Sequence, residues 1–429
     1  MALLFAGALG ASPAITAIVN GASYTEGLSP GCWMVIFGSD LASTTQSAST
    51  LPLSENLGGA SVTVGGFTSR LLYASPTQIN ALIPFEVPAT GFNKVPVVLN
   101  NAGATASYDI YLNRNAPALF TRNASGSGRV LLFNSSFQLI DVPKEGDVIT
   151  VYAAGLGFTN PPGKSDSGAT VASPVVDEVE AFVGDQQAEV LYAGLAPGFP
   201  GIYQVNLRVS ALWTDRLYLR QHGWISNVTN VGLEERNNVT DVTATIEPVL
   251  PSSAGGVAWS LPLFAATANV KFTLRPGAQP FVIAAVAGAG GSFTRVDTAN
   301  GMLEEYWTAP TTLSDFSRLY ATTTVMDFAL GCQPFPNNMI PGARLDPTAL
   351  NFVNYNLPPP RFPYPGFAAG SSVYPRGFDS GSSVYLNTQF GDFLQIPCGS
   401  QKTGKMTFAV YVDGKVVASK DIVYPIGGR

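Results

Sequence analysis

The chain has 429 residues, a net charge of −6, and only 12% charged residues (23 Lys+Arg, 29 Asp+Glu), about half of the ~25% usual for soluble domains. Mean hydropathy is positive at +0.19, yet no run of roughly 18 uninterrupted apolar residues offers a membrane span, and the aliphatic and aromatic content is too high for a disordered chain. Thinly spread negative charge excludes the basic stripe that nucleic acid requires.

Ala2 to Leu9 is a short apolar run followed by the small residues Gly10, Ala11, Ser12 and Ala14. It reads as the tail of a secretory signal without its basic n-region, or as an apolar N-terminal arm. Residues 1–15 are set apart on that basis.

Self-similarity organises the next stretch. Gly31-Cys-Trp-Met-Val-Ile-Phe-Gly-Ser-Asp-Leu41 matches Gly146-Asp-Val-Ile-Thr-Val-Tyr-Ala-Ala-Gly-Leu156. Val62-Thr-Val-Gly-Gly66 matches Ala181-Phe-Val-Gly-Asp185, and Leu72-Tyr-Ala74 matches Leu191-Tyr-Ala193. Gln78-Ile-Asn80 then matches Gln204-Val-Asn206, with a jump in offset at Gly194 to Pro200, where Gly and Pro mark a longer loop. Matches in one order with slowly drifting offsets define two copies of one domain, 16–112 and 113–233. Gly65-Gly66 and Gly184-Asp185 sit between β-rich alternating runs, as tight hairpin turns with positive φ do. No long stretch has a 3.6 period. The pattern predicts an all-β chain, with tandem immunoglobulin-like sandwiches followed by a larger C-terminal β-sandwich region over 234–429.

The residues Val19-Asn-Gly-Ala-Ser-Tyr24, Phe37-Gly-Ser-Asp-Leu41, Leu72-Tyr-Ala-Ser-Pro-Thr-Gln-Ile-Asn80, Ala116-Pro-Ala-Leu-Phe120, Tyr152-Ala-Ala-Gly-Leu-Gly157 and Gly201-Ile-Tyr-Gln-Val-Asn206 carry a resemblance. Over about 16–233 the chain resembles an uncharacterised C-terminal domain family of Solibacter-type acidobacteria, itself similar to TIG/IPT immunoglobulin-like domains. The resemblance implies a bacterial secreted or surface-exposed sandwich pair. That family has no established activity, so it transfers no functional residue. Its pair usually closes the protein, whereas here a further C-terminal region follows.

In that region Thr240 to Val249, Val257 to Phe264 and Phe281 to Ala287 read as strands, and Thr311 to Leu319 as one short helix. Asp413-Gly414 predicts a type I′ hairpin between Thr407 to Val412 and Lys415 to Tyr424. Cys332 and Cys398 each close an apolar run and form a candidate disulfide or two buried thiols, with Cys32 a lone thiol. Between 357 and 385 lies a Pro/aromatic segment with its own tandem repeat, Gly366-Phe-Ala-Ala-Gly-Ser-Ser-Val-Tyr374 and Gly377-Phe-Asp-Ser-Gly-Ser-Ser-Val-Tyr385. Phe362, Tyr364, Phe367, Tyr374, Phe378 and Tyr385 offer flat amphipathic faces that suit a sugar ring or a partner protein. They serve equally well as a cover for the domain's own core.

Signs of chemistry are sparse. His222 is the single histidine and falls at a hairpin tip, so neither a His/Cys zinc site nor a Ser-His-Asp triad is indicated. Gly288-Ala-Gly-Gly-Ser-Phe293 lacks the third glycine and the helix of a dinucleotide loop, and reads as a hairpin turn. Glu304-Glu305 is the best carboxylate cluster for a glycoside hydrolase, but neighbours on a strand point to opposite faces. Asp177, Glu178 and Glu180 form the densest acidic spot, either a weak calcium site or a solvated strand edge. Gln78/Asn80 and Gln204/Asn206 each share one strand face, as loop-fixing pairs or as a binding ladder. Sequons stand at Asn123, Asn134, Asn227 and Asn238. The composite expectation is a secreted or cell-surface structural or adhesive protein. It is expected to be non-enzymatic and without a cofactor, and to associate with itself or other envelope proteins. Carbohydrate binding through 362–385 is the alternative, with polysaccharide as partner. A carboxylate hydrolase comes last.

Overall fold

The computed structural model describes residues 12–89, 94–222, 224–234, 236–249, 263–288, 290–308, 326–327, 333–334, 372–375, 378–393 and 403–425. Among the described residues every regular element is a strand, so the chain is all-β, as alternating apolar residues and frequent Gly/Pro punctuation dictate. The predicted helix at 311–319 lies outside the described residues, as do Cys332 and Cys398.

The chain divides into two compact units that are discontinuous in sequence. The first comprises Met1–Ala116, Ala153–Val176 and Gly194–Gln204; the second comprises Pro117–Tyr152, Asp177–Ala193 and Val205–Arg429. The boundaries at 112/113 and 233/234 drawn from the repeat are continuous, and the two divisions do not coincide.

In the first unit one sheet has the spatial order Ala14–Asn20, Trp33–Ser39, Gln78–Leu82, Arg70–Ala74, Gln46–Ser47. A second sheet runs Ala104–Tyr111, Lys94–Asn101, Ala60–Val64, Asn56–Leu57. The strand pairs in both sheets are antiparallel. Alternate residues are buried, as in Ala60, Val62 and Val64 beside Val95, Val97 and Leu99. Two segments from beyond residue 150 complete this unit. Trp33 Nε1 donates to Pro200 O at 2.9 Å. A Cβ on Gly201 would stand 2.3 Å from Leu82 Cδ1 and 3.2 Å from Trp33 Nε1, so only glycine lets that backbone approach. Likewise Phe85 N donates to Ser165 Oγ at 2.9 Å, and Ser165 donates on to Glu86 Oε2 at 2.6 Å.

The elements of the second repeat recur in the order of the first. The turn Gly65-Gly66 has φ of 57° and 88°, and its counterpart Gly184-Asp185 has 66° and 59°. Both are turns with two positive φ values, which match strand twist. The two stretches differ at the strand that follows this turn. Phe67–Thr68 and Arg70–Ala74 are separate strands, whereas Gln186–Leu195 is one strand of 10 residues. Through it the second repeat's strands join into a single nine-stranded sheet instead of two.

The C-terminal part of the second unit is a sandwich. A three-stranded sheet (Val239–Val249, Leu263–Leu274, Ser383–Phe393) faces a six-stranded one. The latter has the order Ser372–Pro375, Met302–Thr308, Gly290–Asp297, Phe281–Ala287, Thr403–Val412, Lys415–Pro425. Every second residue points inward: Ala266, Ala268, Val270 and Phe272 meet Phe281, Ile283 and Ala285, and Met406, Phe408 and Val410. Each fully buried Phe or Leu contributes about 1.5–3 kcal/mol. Phe281–Ala287 and Gly290–Asp297 pair directly as a hairpin, so the glycine cluster near 288–291 is the turn its sequence predicts. Asp413-Gly414, with φ of 58° and 79°, turns the last hairpin as expected.

Candidate functional site

The residues singled out from sequence fall in different places. Phe362, Tyr364 and Phe367 lie outside the described residues. Tyr374 belongs to Ser372–Pro375 and stands opposite Leu303 in register. Phe378 packs against the C-terminal core. Tyr385 is exposed, and its hydroxyl donates to Asn269 Oδ1. Glu304 is half-buried on Met302–Thr308, opposite Arg295.

In the acidic spot at 177–180, Asp177 is buried, Glu178 is exposed and Glu180 is half-buried. Asp177 Oδ1 faces His222 Nε2 at 3.7 Å. Glu180 takes a fork from Arg220, Nε to Oε2 at 2.7 Å and Nη2 to Oε1 at 2.6 Å. Among the described residues no three His, Cys, Asp or Glu side chains gather as metal ligands. His222 sits at a turn with φ of 49°, the conformation its place in the repeat implies. Gln78 Nε2 donates to Asn80 Oδ1 at 2.8 Å, and Thr150 Oγ1 to Asn206 Oδ1 at 3.1 Å. The sequons divide in the same way. Asn123 and Asn134 close exposed loops through bonds to Ser125 N and Ser136 N. Asn227 is committed to Leu119 and Gly126, and buried Asn238 to Asp413.

Sequence reasoning passed over a charged layer on the strand Arg216–Gln221, all of which is buried. Phe182 faces Tyr218 in register, and their rings stack at 4.9 Å and 12°. The Arg220 guanidinium lies 5.2 Å over Phe182, and that of Arg216 lies 5.6 Å over Tyr218. Four planar groups thus form one pile, closed at one end by Glu180 and at the other by Asp185, 3.5 Å from Arg216. Burial pushes the Asp185 carboxyl up, against the pull of Arg216 and the Thr214 hydroxyl. The signal was present as Arg-x-Tyr-x-Arg, which puts three long side chains on one strand face.

The turn Gly184-Asp185 also builds a cleft. Gly184 N donates to Arg216 O at 2.7 Å, and Trp213 N to Gly184 O at 3.2 Å. A Cβ on Gly184 would fall 2.7 Å from Leu212 Cα, so a side chain there would expel the 211–215 segment. Thr214 Oγ1 donates to Asp185 Oδ2 at 2.6 Å. Held this way, Trp213 leans on Phe293 with ring centres 5.2 Å apart, and Asp215 Oδ1 accepts from Tyr411 Oη at 2.6 Å. Burial, then the Asp215 charge, raise the Tyr411 phenol well above the usual tyrosine range. Beside this contact opens a cleft of ≈ 520 Å³. Leu212, Trp213, Pro280 and Val282 supply its apolar wall. Lys144, Glu145, Glu234, Arg236, Arg295 and Asp413 are its charged lining residues.

The geometry defines an all-β protein in which non-covalent clamps fix successive β modules. No family model matches the chain, and no curated protein matches it. Two solved structures show its weak similarities. One is an auxiliary nutrient binding protein from Bacteroides thetaiotaomicron, with 10% identity, 69% of this chain and 57% of that chain covered, and a TM-score of 0.16. The other is the surface layer protein SbsC, domains 4–9, with 10% identity, 97% and 48% covered, and a TM-score of 0.14. This chain therefore spans less than two thirds of either. Among the described residues no helix is long and apolar enough to cross a membrane.

Proposed function

We propose that this is a non-enzymatic structural protein of the bacterial cell surface or extracellular space, which assembles with copies of itself by strand addition. One observation carries the reading. Ala104–Tyr111 is an eight-residue edge strand that pairs with Lys94–Asn101 over its whole length without a bulge. Among the described residues it pairs with no other strand. Its single charge, Asp109, already has Lys94 at 3.8 Å. Natural sheets guard such edges with lysine, proline, bulges or short strands, and this edge has none of them. An unguarded edge of this length is a template for another strand. The low charge of the chain and the resemblance of 16–233 to surface-type immunoglobulin-like domains support the same reading.

Native mass measurement and electron microscopy of the full chain test it. Wild type should form concentration-dependent assemblies. The exposed-face changes Thr105→Lys and Ser107→Lys should dissolve them without lowering the unfolding temperature. A monodisperse monomer at high concentration, or assemblies indifferent to these changes, would reject the reading.

A further inference from the structure

We infer that the cleft beside Trp213 is a binding site for a carboxylated sugar, a uronic-acid unit of an anionic polysaccharide, with Arg236 and Arg295 as the cations that take the carboxylate.

Part of the charge that lines the cleft is already spent. Lys144 pairs with Glu234 at 3.3 Å. The Asp413 carboxylate accepts the Asn238 side-chain amide at 2.7 Å and the Asn238 backbone N–H. Three of the six charged lining residues are thereby satisfied within the protein. Of the others, Arg236 and Arg295 are exposed, and neither guanidinium makes an ion pair among the described residues. Glu304 stands opposite Arg295 in register, and the Asp297 carboxylate feels the Arg295 charge, yet neither lies within ion-pair distance of it. Glu145 is the remaining anion. Among the described residues the cleft thus presents two guanidiniums outside any ion pair against one carboxylate, and guanidinium is the group whose planar fork fits a carboxylate in two parallel bonds.

The wall then narrows the ligand. Trp213 is half-buried and cannot swing freely, because Phe293 backs it and Gly184 holds its backbone. With Pro280 and Val282 it supplies apolar lining to the cleft. Such a surface suits the C–H face of a pyranose ring. A peptide has less to gain. The lining strands Phe281–Ala287 and Gly290–Asp297 are each paired on both sides, so an extended chain finds no backbone edge here. The ≈ 520 Å³ volume falls within the ~300–1,000 Å³ of ordinary ligand sites.

The test is calorimetric titration of the full chain with a short oligogalacturonate and with its fully methyl-esterified form, at low and at physiological salt. The acid form should bind, and esterification should weaken it about tenfold or more, since it removes the charge-assisted bonds. Arg236→Gln and Arg295→Gln should each weaken the acid form, and the double variant should abolish binding. The unfolding temperature should stay unchanged, because both side chains are exposed. Four results would each overturn the assignment: no binding by wild type, equal binding of the ester, binding unchanged in the double variant, or stronger binding of an oligoglutamate peptide. Strand-edge assembly is read separately from this titration, so either inference can fail alone.

Discussion

Asn238 is bound to Asp413 across 175 residues of sequence: its side-chain amide donates to Oδ1 at 2.7 Å and its backbone N–H to Oδ2. Arg236 N donates to Asp413 O at 3.4 Å. The segment that leaves the second repeat is thereby fastened to the last hairpin turn. Asp413→Ala should destabilise the second unit by about 2–4 kcal/mol, since it removes charge-assisted bonds at a buried site and puts alanine at positive φ. Asp413→Gly relieves the backbone and loses only the bonds, so it should fall between wild type and Asp413→Ala in chemical denaturation.

Arg220 is 2% exposed and forks onto Glu180. Arg220→Ala leaves a carboxylate without its partner and should cost about 3–5 kcal/mol. The pair Arg220→Met with Glu180→Leu removes both charges and should recover most of that loss. A double-mutant cycle by urea unfolding measures the difference.

Cys32 is fully buried, its thiol donates to Trp33 O at 3.2 Å, and burial pushes its pKa up from 9.0 to about 12. A thiol reagent should leave it untouched in the native protein at pH 8 and modify it at once in denaturant. Because the native value is raised, the stability this thiol carries is complete below pH 9.0 and is lost as pH rises towards about 12. Cys32→Ala should lack that decline in unfolding curves taken across the alkaline range.

Tyr411→Phe removes the bond to Asp215 and should cost about 1–2 kcal/mol. The native phenol is shifted upward by burial and by Asp215. Its share of stability therefore holds at and below the ordinary tyrosine range and disappears only above it. Tyrosinate absorbance of wild type minus Tyr411→Phe should show no Tyr411 signal until the protein unfolds.

The β class and the turns were legible because each is local. Period-two burial, Gly65-Gly66, Gly184-Asp185 and Asp413-Gly414 depend on neighbours in sequence. The site was hardly legible. Trp213 and Arg295 come together through a turn at Gly184 and a hairpin far downstream, and no spacing rule connects them. Histidine, paired carboxylates and aromatic repeats are the residue patterns that mark chemistry in a sequence, whereas the charged layer uses arginine within an ordinary strand. Arg216, Tyr218 and Arg220 could have been read as one face. Their partners Glu180 and Phe182 required the register.

The loop that interrupts the repeat, Gly194 to Pro200, belongs to the unit that contains the first copy, where Pro200 O accepts the Trp33 indole. A fragment ending near residue 112 would carry Trp33 and Phe85 without the segments that cover them, and should aggregate rather than fold as an isolated domain. During synthesis the first unit must wait until residue 204 has left the ribosome before its contacts can close. Its folding is thus tied to the manufacture of segments that lie beyond residue 152.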